Sequence, residues 1–211
     1  MKVIKQYIGG PILLEPKVNK DERGYFFESF NNEQFKKDTG LDITFVQDNE
    51  SKSNYGVLRG LHFQVPPYDQ SKLVRVIKGA VFDYIVDLRK GSQTYGQFCG
   101  EYLSEENHRM FFVPRGFAHG FITLRDNTIF QYKCDNYYKR SAEGGLLWNT
   151  PLPIGNSQYE TEIPWTNYVP YNDIILSEKD RYWGIFKEFD SPFEIEKIKE
   201  EDTTTEEKTQ D

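Results

Sequence analysis

AVFDYIVDL, residues 80–88, is the stretch of this chain that decides its fold class. Its even positions are aromatic or aliphatic, whereas Asp83 and Asp87 occupy odd positions. A two-residue period predicts a β-strand with two distinct faces. The Lys-Gly pair at 78–79 provides a tight turn before it, so we expect a hairpin with KLVRVI at 72–77.

Six further β-like runs lie around this pair, and each is bounded by turn residues. They are ITFVQ (43–47), GVLRGLHFQ (56–64), QFCGEYL (97–103), RMFFVP (109–114), FITL (121–124) and TIFQYKC (128–134). Short strands at this spacing are typical of an all-β sandwich or barrel. An open mouth and two mutually protecting sheets are features of a jelly-roll barrel, which is the fold we predict.

Helical signal is confined to two short, peripheral stretches. Residues 31–40 have asparagine at 31–32 as the N-cap and Gly40 as the stop. Residues 176–186 start with a capping-box spacing at Ser177. We expect one short helix at each place.

Charge is concentrated at the C-terminal end. Residues 194–211 hold eight acidic residues and three lysines, a charge of −5, which leaves −2 of the total −7 for residues 1–193. A nearly neutral body lacks the clustered Lys and Arg of a nucleic-acid-binding face, so we expect no nucleic-acid partner. The sequence therefore predicts one domain over 1–193 followed by an acidic, disordered tail at 194–211.

The cellular compartment is predicted from cysteine usage and hydropathy. Cys99 and Cys134 are the two cysteines, at no spacing typical of a disulfide framework or a zinc knuckle. No apolar run is long enough for a secretory signal or a membrane span. We expect a cytoplasmic protein with free thiols and no membrane association.

GVLRGLHFQ at 56–64 contains two polar side chains, Arg59 and His62, whose burial in an otherwise apolar strand would cost free energy. A buried charge needs partners, so Arg59 and His62 should face a polar cavity at the barrel mouth. Strict alternation nevertheless puts the two on opposite faces. Gly60 between them suggests a bulge that would bring both to the same side.

Histidines are the first candidates for chemistry. His62, His108 and His119 are each structural by default, and no two of them lie two positions apart as metal ligands on one strand face would. The metal-free alternative is an imidazole base oriented by a carboxylate. From the residues alone that carboxylate stays open among Asp83, Asp87, Glu28 and Asp180, and Asp180 could instead cap a helix with Ser177.

Seven strings along the chain resemble the dTDP-4-dehydrorhamnose 3,5-epimerase family. They are DERGYFFESF (21–30), FVQDNESKS (45–53), GVLRGLHFQ (56–64), KLVRVIKGAVFDYIVDLRKGSQTYG (72–96), LSEEN (103–107), VPRGFAHGFITL (113–124) and ILSEKD (175–180). The resemblance implies a cupin-type jelly roll, a homodimer, neither metal nor organic cofactor, and a 4-keto-6-deoxyhexose on thymidine diphosphate as substrate.

The same resemblance assigns catalytic roles to individual residues. It implies that His62 is the general base paired with Asp180, that Lys72 stabilises the enolate oxygen, and that Tyr132 is the general acid. These roles make chemical sense, because a cation at the ketone oxygen stabilises the charge that develops when the neighbouring carbon loses its proton.

The nucleotide-binding residues are also carried over from the resemblance. They are Arg23, Glu28, Gln47, Asn49, Arg59, Tyr138 and Lys179, with His119 and Asp83 in the polar surround. Arg23 and Glu28 are expected to reach into the neighbouring subunit. Arginine suits a diphosphate because its planar fork donates two hydrogen bonds at once.

The chain departs from the family pattern over residues 148–173, WNTPLPIGNSQYETEIPWTNYVPYND, which is longer than its family counterpart. We expect this change near the mouth, so it leaves specificity open. The alternatives are an epimerase acting at a single carbon, a non-catalytic sugar-binding jelly roll and a metal-dependent oxygenase.

Overall fold

A computed structural model describes residues 1–155 and 157–195 of the chain. Those residues contain one α-helix, fifteen β-strands and five 3-10 turns. The strands are β1 (Lys2–Gln6), β2 (Ile12–Glu15), β3 (Asn19–Asp21), β4 (Gly24–Phe26), β5 (Gln47–Ser53), β6 (Leu58–Gln64), β7 (Lys72–Lys78), β8 (Ala80–Asp87), β9 (Phe98–Ser104), β10 (Met110–Val113), β11 (Phe117–Thr123), β12 (Thr128–Cys134), β13 (Glu143–Gly145), β14 (Leu152–Pro153) and β15 (Glu160–Thr161). The helix α1 is Asn32–Thr39, and the 3-10 turns are Arg140–Ala142, Trp165–Asn167, Tyr171–Asp173, Lys179–Arg181 and Phe186–Glu188.

Two antiparallel sheets form the body of the molecule. One has the strand order β1-β2-β10-β7-β12-β5, and the other β13-β6-β11-β8-β9. Val74 and Phe130 of the first sheet and Ile85 and Phe121 of the second share one buried cluster, so the sheets face each other across it. This double-sheet architecture confirms the predicted all-β jelly roll.

Two outer apolar layers flank this interior. Helix α1 covers the outer side of the six-stranded sheet, where Phe35 packs against Phe112 with ring centroids 5.8 Å apart. The C-terminal half covers the outer side of the five-stranded sheet, where Trp165 packs edge-on against Tyr84 at 4.9 Å. β8 is therefore buried on both faces, whereas the alternation of its sequence indicated only that the two faces differ.

The predicted hairpin between 72–77 and 80–88 is wrong. β7 pairs with β10 and β12, whereas β8 pairs with β9 and β11 in the other sheet. The turn at 78–79 thus carries the chain across the barrel. Its sequence cannot distinguish a hairpin from such a corner, because turn propensity depends only on the local backbone.

The other predicted elements differ from the structure mainly at their ends. The ITFVQ strand at 43–47 is wrong, because the strand there begins only at Gln47. Helix α1 is confirmed: Asn31 accepts a hydrogen bond from the Gln34 N–H, and Gly40 ends the helix in the left-handed region. The second predicted helix shrinks to the single 3-10 turn Lys179–Arg181.

The long segment at 149–173 lies on the outer side of the five-stranded sheet. Ile163, Trp165 and Val169 are buried there with residues of β6, β8 and β11. Tyr168 stacks on Phe82, with ring centroids 4.2 Å apart. The described residues of the segment do not line the main cavity described below, but Ile175 and Leu176, which follow it closely, do.

The C-terminal end of the described chain joins the body. Lys90 pairs with Glu194 in an isolated bridge, and the Lys90 N–H donates to the carbonyl of Phe193. The rest of the predicted tail, 196–211, falls outside the described residues. Over the described ranges, no helix has both the length and the apolar character needed to cross a bilayer.

Candidate active site

A cavity of about 670 Å³ opens between the two sheets at one end of the barrel. β5, β7 and β12 line it from the six-stranded sheet, and β6, β11 and β13 from the five-stranded sheet, with residues 175–180 at its edge. The lining includes ten of the twelve predicted site residues: Gln47, Asn49, Arg59, His62, Lys72, His119, Tyr132, Tyr138, Lys179 and Asp180.

A bulge in β6 brings Arg59 and His62 to this cavity. His62 lies opposite His119 and Arg59 opposite Phe121, so β6 uses one more residue than β11 over the same span. Gly60 has φ +128°, and a Cβ there would lie 2.5 Å from the Cα of its cross-strand neighbour. The bulge hypothesis is confirmed, and glycine is required at this position.

His62 and Asp180 form a hydrogen-bonded pair although they lie 118 residues apart. The Nε2–H of His62 donates to Oδ1 of Asp180 at 2.5 Å, which leaves Nδ1 to accept a proton. Burial would raise the pKa of Asp180, but the hydrogen bond and charge of His62 and the hydroxyl of Ser177 outweigh it and lower that pKa. The ionised carboxylate can therefore stabilise an imidazolium.

The capping interpretation of Asp180 is also realised. Its backbone N–H donates to Ser177 Oγ at 3.2 Å, while its side chain serves His62. The local turn sets the direction of the carboxylate, which is only 3 % exposed. One residue thus holds both the turn and the imidazole.

Lys72 and Tyr132 face the cavity from the sheet opposite to His62. The Lys72 ammonium lies 5.8 Å from the centroid of the Tyr132 ring. Burial lowers the pKa of Lys72, against the opposing charges of Cys134, Asp83 and Glu143. Burial likewise raises the pKa of Tyr132 to about 12, so its phenol is protonated at neutral pH and can donate a proton.

His119 and Asp83 form a second buried pair beside the cavity. His119 Nε2 lies 2.8 Å from Asp83 Oδ2. Burial lowers the pKa of His119 and raises that of Asp83, and the charges of Lys72 and His62 depress the histidine further. The imidazole is therefore neutral at pH 7 and suited to a polar surround.

The predicted nucleotide-binding residues form a hydrogen-bonded rim. The Tyr138 N–H donates to Gln47 Oε1 at 2.9 Å, and Gln47 Nε2 donates to Asn49 at 3.1 Å. Lys179 pairs with Glu143 at 2.5 Å. Arg59 is exposed and donates through Nε to Ser53 Oγ at 3.1 Å, so it presents a cation at the rim.

Arg23 and Glu28 lie outside the cavity of their own chain. Arg23 is on the β3–β4 hairpin, 84 % exposed and paired with Asp21. Glu28 accepts a hydrogen bond from Asn31 Nδ2 at 3.0 Å. The structure therefore does not bring these two together with the other ten predicted residues.

His108 also stays outside the cavity, as the structural interpretation expects. Its ring packs against both Tyr25 and Phe27, with centroid distances of 4.7 and 5.1 Å. In residues 1–155 and 157–195 no group of three His, Cys, Asp or Glu side chains has a metal-binding arrangement.

Glu143 is a cavity residue that the sequence reasoning missed. It lies on β13, pairs with Lys179 and accepts a hydrogen bond from Tyr138 at 3.4 Å. The short EGG strand has no two-residue period, so its pairing with β6 could not be predicted.

His62 and Tyr132 line the cavity from opposite sheets. With a base on one wall and a phenol on the other, the cavity can remove a proton from one side of a bound ring and return one from the other.

The chain is similar to known proteins in sequence and in fold. A sequence model of the dTDP-4-dehydrorhamnose 3,5-epimerase family matches residues 5–188. A dTDP-4-dehydrorhamnose 3,5-epimerase from Methanothermobacter thermautotrophicus is 50 % identical over 187 residues, which cover 89 % of this chain and 95 % of that relative.

Solved structures extend the similarity to the fold. The dTDP-4-dehydrorhamnose 3,5-epimerase of Elizabethkingia anophelis has a TM-score of 0.79 and 46 % identity, over 89 % of this chain and 97 % of that one. The dTDP-6-deoxy-D-glucose-3,5-epimerase of Legionella pneumophila, in complex with dTDP-4-keto-L-rhamnose, has a TM-score of 0.78 and 37 % identity, over 92 % and 99 %. With family similarity across nearly the whole described body, this chain belongs to the dTDP-4-dehydrorhamnose 3,5-epimerase family.

Proposed function

We propose that this chain epimerises carbons 3 and 5 of dTDP-4-dehydro-6-deoxy-D-glucose to give dTDP-4-dehydro-L-rhamnose. One observation carries the proposal: His62 and Tyr132 belong to opposite sheets and line the same cavity, with Lys72 beside the tyrosine. Inverting a carbon requires a proton to leave one face of the ring and another to arrive at the opposite face. A base and an acid on opposite walls meet that requirement.

Proton removal is the first half of the reaction. His62 Nδ1 takes the proton from the carbon next to the ketone, and the electron pair of the C–H bond moves onto the ketone oxygen. Asp180 stabilises the imidazolium that results, and its lowered pKa keeps it ionised for this role. Lys72 stabilises the enolate oxygen by its charge.

Proton return completes the inversion. The enolate carbon takes the proton of the Tyr132 hydroxyl on the other face, and the ketone re-forms. Because the pKa of Tyr132 is raised, its phenol is fully protonated at neutral pH and can donate a proton. Solvent then reprotonates the phenolate and takes the proton from His62, so the enzyme returns to its starting state.

The nucleotide is proposed to bind at the rim. Arg59 and Lys179 supply positive charge for the diphosphate, and Gln47 and Asn49 supply polar groups near it. The ligand named for the Legionella relative, dTDP-4-keto-L-rhamnose, supports a thymidine diphosphate sugar of this class. We further propose a homodimer in which Arg23 and Glu28 serve the cavity of the second copy.

Exchange of solvent deuterium tests the function, because each inverted carbon takes its new proton from water. The protein is incubated with dTDP-4-dehydro-6-deoxy-D-glucose in D₂O, and the sugar is analysed by NMR and mass spectrometry. We expect deuterium at both C3 and C5. Label at one carbon would identify a single-centre epimerase, and absence of label would contradict the proposal in favour of a sugar-binding protein.

Two variants test the roles of the acid and the base in the same assay. His62→Ala should reduce exchange at both carbons by about 10²-fold or more. Tyr132→Phe should spare the first exchange relative to product formation, whereas Tyr102→Phe, on the outer strand β9, should match the unsubstituted protein. Wild-type exchange in His62→Ala would refute the base assignment.

A further inference from the structure

Trp183 lies beside the His62–Asp180 pair and has no role in the proposed proton transfers. Its indole is edge-on to the imidazole of His62, with ring centroids 6.4 Å apart and planes at 71°. The ammonium of Lys179 lies 6.0 Å from the centroid of the same indole. Trp183 therefore packs against the base and is not among the residues that line the cavity.

Gly145 provides the space that the indole occupies. It pairs with His62 across β13 and β6, in a regular part of the sheet where the backbone does not require glycine. A Cβ at Gly145 would lie 2.5 to 2.7 Å from three indole atoms of Trp183, including Nε1. Any larger residue at 145 would displace the indole.

The indole N–H is buried and has no hydrogen-bond partner among the described residues. An unpartnered buried donor is rare and costs free energy. The N–H nevertheless lies close enough to Asp180 to contribute to the lowered pKa of that carboxyl group, after His62 and Ser177. The indole therefore acts on the carboxylate that orients the base.

We propose that Trp183, seated against Gly145, is a positioning residue for the His62–Asp180 pair; this inference rests on the proposed epimerase function. The indole fixes the plane of the imidazole, and its N–H favours the ionised form of the Asp180 carboxylate. An ionised carboxylate is the form that orients His62 for accepting the substrate proton. Trp183 thus keeps Asp180 ionised to lower pH than it would otherwise be.

Trp183→Phe tests the electrostatic part, because it removes the N–H and keeps an aromatic ring. The acid limb of the pH profile for deuterium exchange should move to higher pH by about half a unit or more, with KM within about twofold. An unmoved acid limb overturns the proposal. The proposed function fails separately, because its failure is seen in the unsubstituted protein as no exchange or as exchange at one carbon alone.

Gly145→Ala tests the packing part by pushing the indole away. We expect kcat for exchange to fall about 10-fold or more, with KM within about twofold, because a displaced base is misaligned while the substrate contacts are kept. Gly144→Ala is the matched control, since its Cβ would meet Phe63 at 2.4 Å instead of Trp183. The control should lose stability without this fall in kcat.

A double variant separates displacement of the indole from general damage. In the Trp183→Ala background, Gly145→Ala should lower kcat no further, because the space is already empty. An additional fall equal to that of the single variant would overturn the packing argument. Thermal unfolding checks that each variant folds, and Trp183→Phe remains a test if Gly145→Ala does not.

Discussion

Single residues in the cavity show how one physical cause acts in opposite directions. Burial disfavours whichever form of a group is charged, so it lowers the pKa of Lys72 and raises that of Tyr132. As the pH rises, Lys72 therefore loses its charge well before Tyr132 loses its proton. The cation at the ketone is the more pH-sensitive of the two.

The alkaline limb of the pH profile should accordingly belong to Lys72. We expect kcat/KM to fall at a pH below 10.5, the ordinary pKa of a lysine, because deprotonation removes the charge opposite the enolate. Lys72→Arg should lower the maximal rate but move this limb to higher pH, since a guanidinium stays charged. Lys90→Arg, at an exposed ion pair, is the control and should leave the limb in place. A limb that does not move in Lys72→Arg would assign it to another group.

How far the sequence predicts these residues depends on the range of their contacts. The cost of a charge within a strand was enough to single out Arg59 and His62 before any fold was known. The choice of Asp180 over Asp83 was open from the residues alone, because the contact spans 118 positions. Trp183 gave no signal, since a lone tryptophan is a core residue by default.

Secondary-structure elements were predictable where their apolar pattern matched their burial. β12 has the expected range of 128–134, and β8 ends one residue before the end of its expected range of 80–88. The partners of β7 were not predictable, because hydrophobic period fixes which face is buried and leaves open which strand lies alongside. β13 was not predicted, because its two glycines leave no alternation of apolar and polar side chains.

At the end of β8, one buried carboxylate organises the following loop. Asp87 accepts hydrogen bonds from Arg89 Nη2 at 2.7 Å, Ser92 Oγ at 2.6 Å and Thr94 Oγ1 at 2.7 Å. Arg89 in turn donates to the carbonyl of Gly9 at 2.9 Å. Burial would raise the pKa of Asp87, but these donors outweigh it and lower the pKa.

Asp87→Asn should therefore destabilise the fold by about 3 kcal/mol, because it removes the buried carboxylate and leaves the half-buried Arg89 without its counter-charge. Urea unfolding at neutral pH measures the loss. The contribution of Asp87 is present above its unfolded pKa of about 3.9 and is lost as pH falls through the lower folded value, so the two proteins should converge in acid. Asp190→Asn, which removes an exposed partner of Lys90, should not shift the midpoint. A constant difference down to strongly acidic pH would contradict the argument.

On the scale of the whole molecule, the buried apolar residues form three layers, one between the two sheets and one on each outer side. The interior layer ends in the cavity, and the two outer layers hold α1 and segment 149–173. The strand count predicted the two sheets. It could not predict the position of segment 149–173, because a Pro- and Tyr-rich segment without period carries no information about which surface it covers.

Mixed assemblies test whether Arg23 acts on a second copy. Arg23→Ala and His62→Ala variants should each be impaired alone. If Arg23 serves the neighbouring cavity, a mixed dimer contains one site with an intact His62 and an intact Arg23, so unfolding and refolding the two variants together should restore activity. Each variant refolded alone is the control. No recovery in dimers shown by mass spectrometry to be mixed would place Arg23 with its own chain or outside the site.

Segment 149–173 also offers a position for selective chemical labelling. Tyr159, beside β15, is 68 % exposed, and its segment lies across the five-stranded sheet from the cavity. The native thiols compete poorly for a maleimide, because burial raises the pKa of Cys99 to about 12 and of Cys134 to about 11. A Tyr159→Cys variant would therefore accept a fluorophore or a surface linker selectively, with the substrate entrance left open for single-molecule recording of turnover.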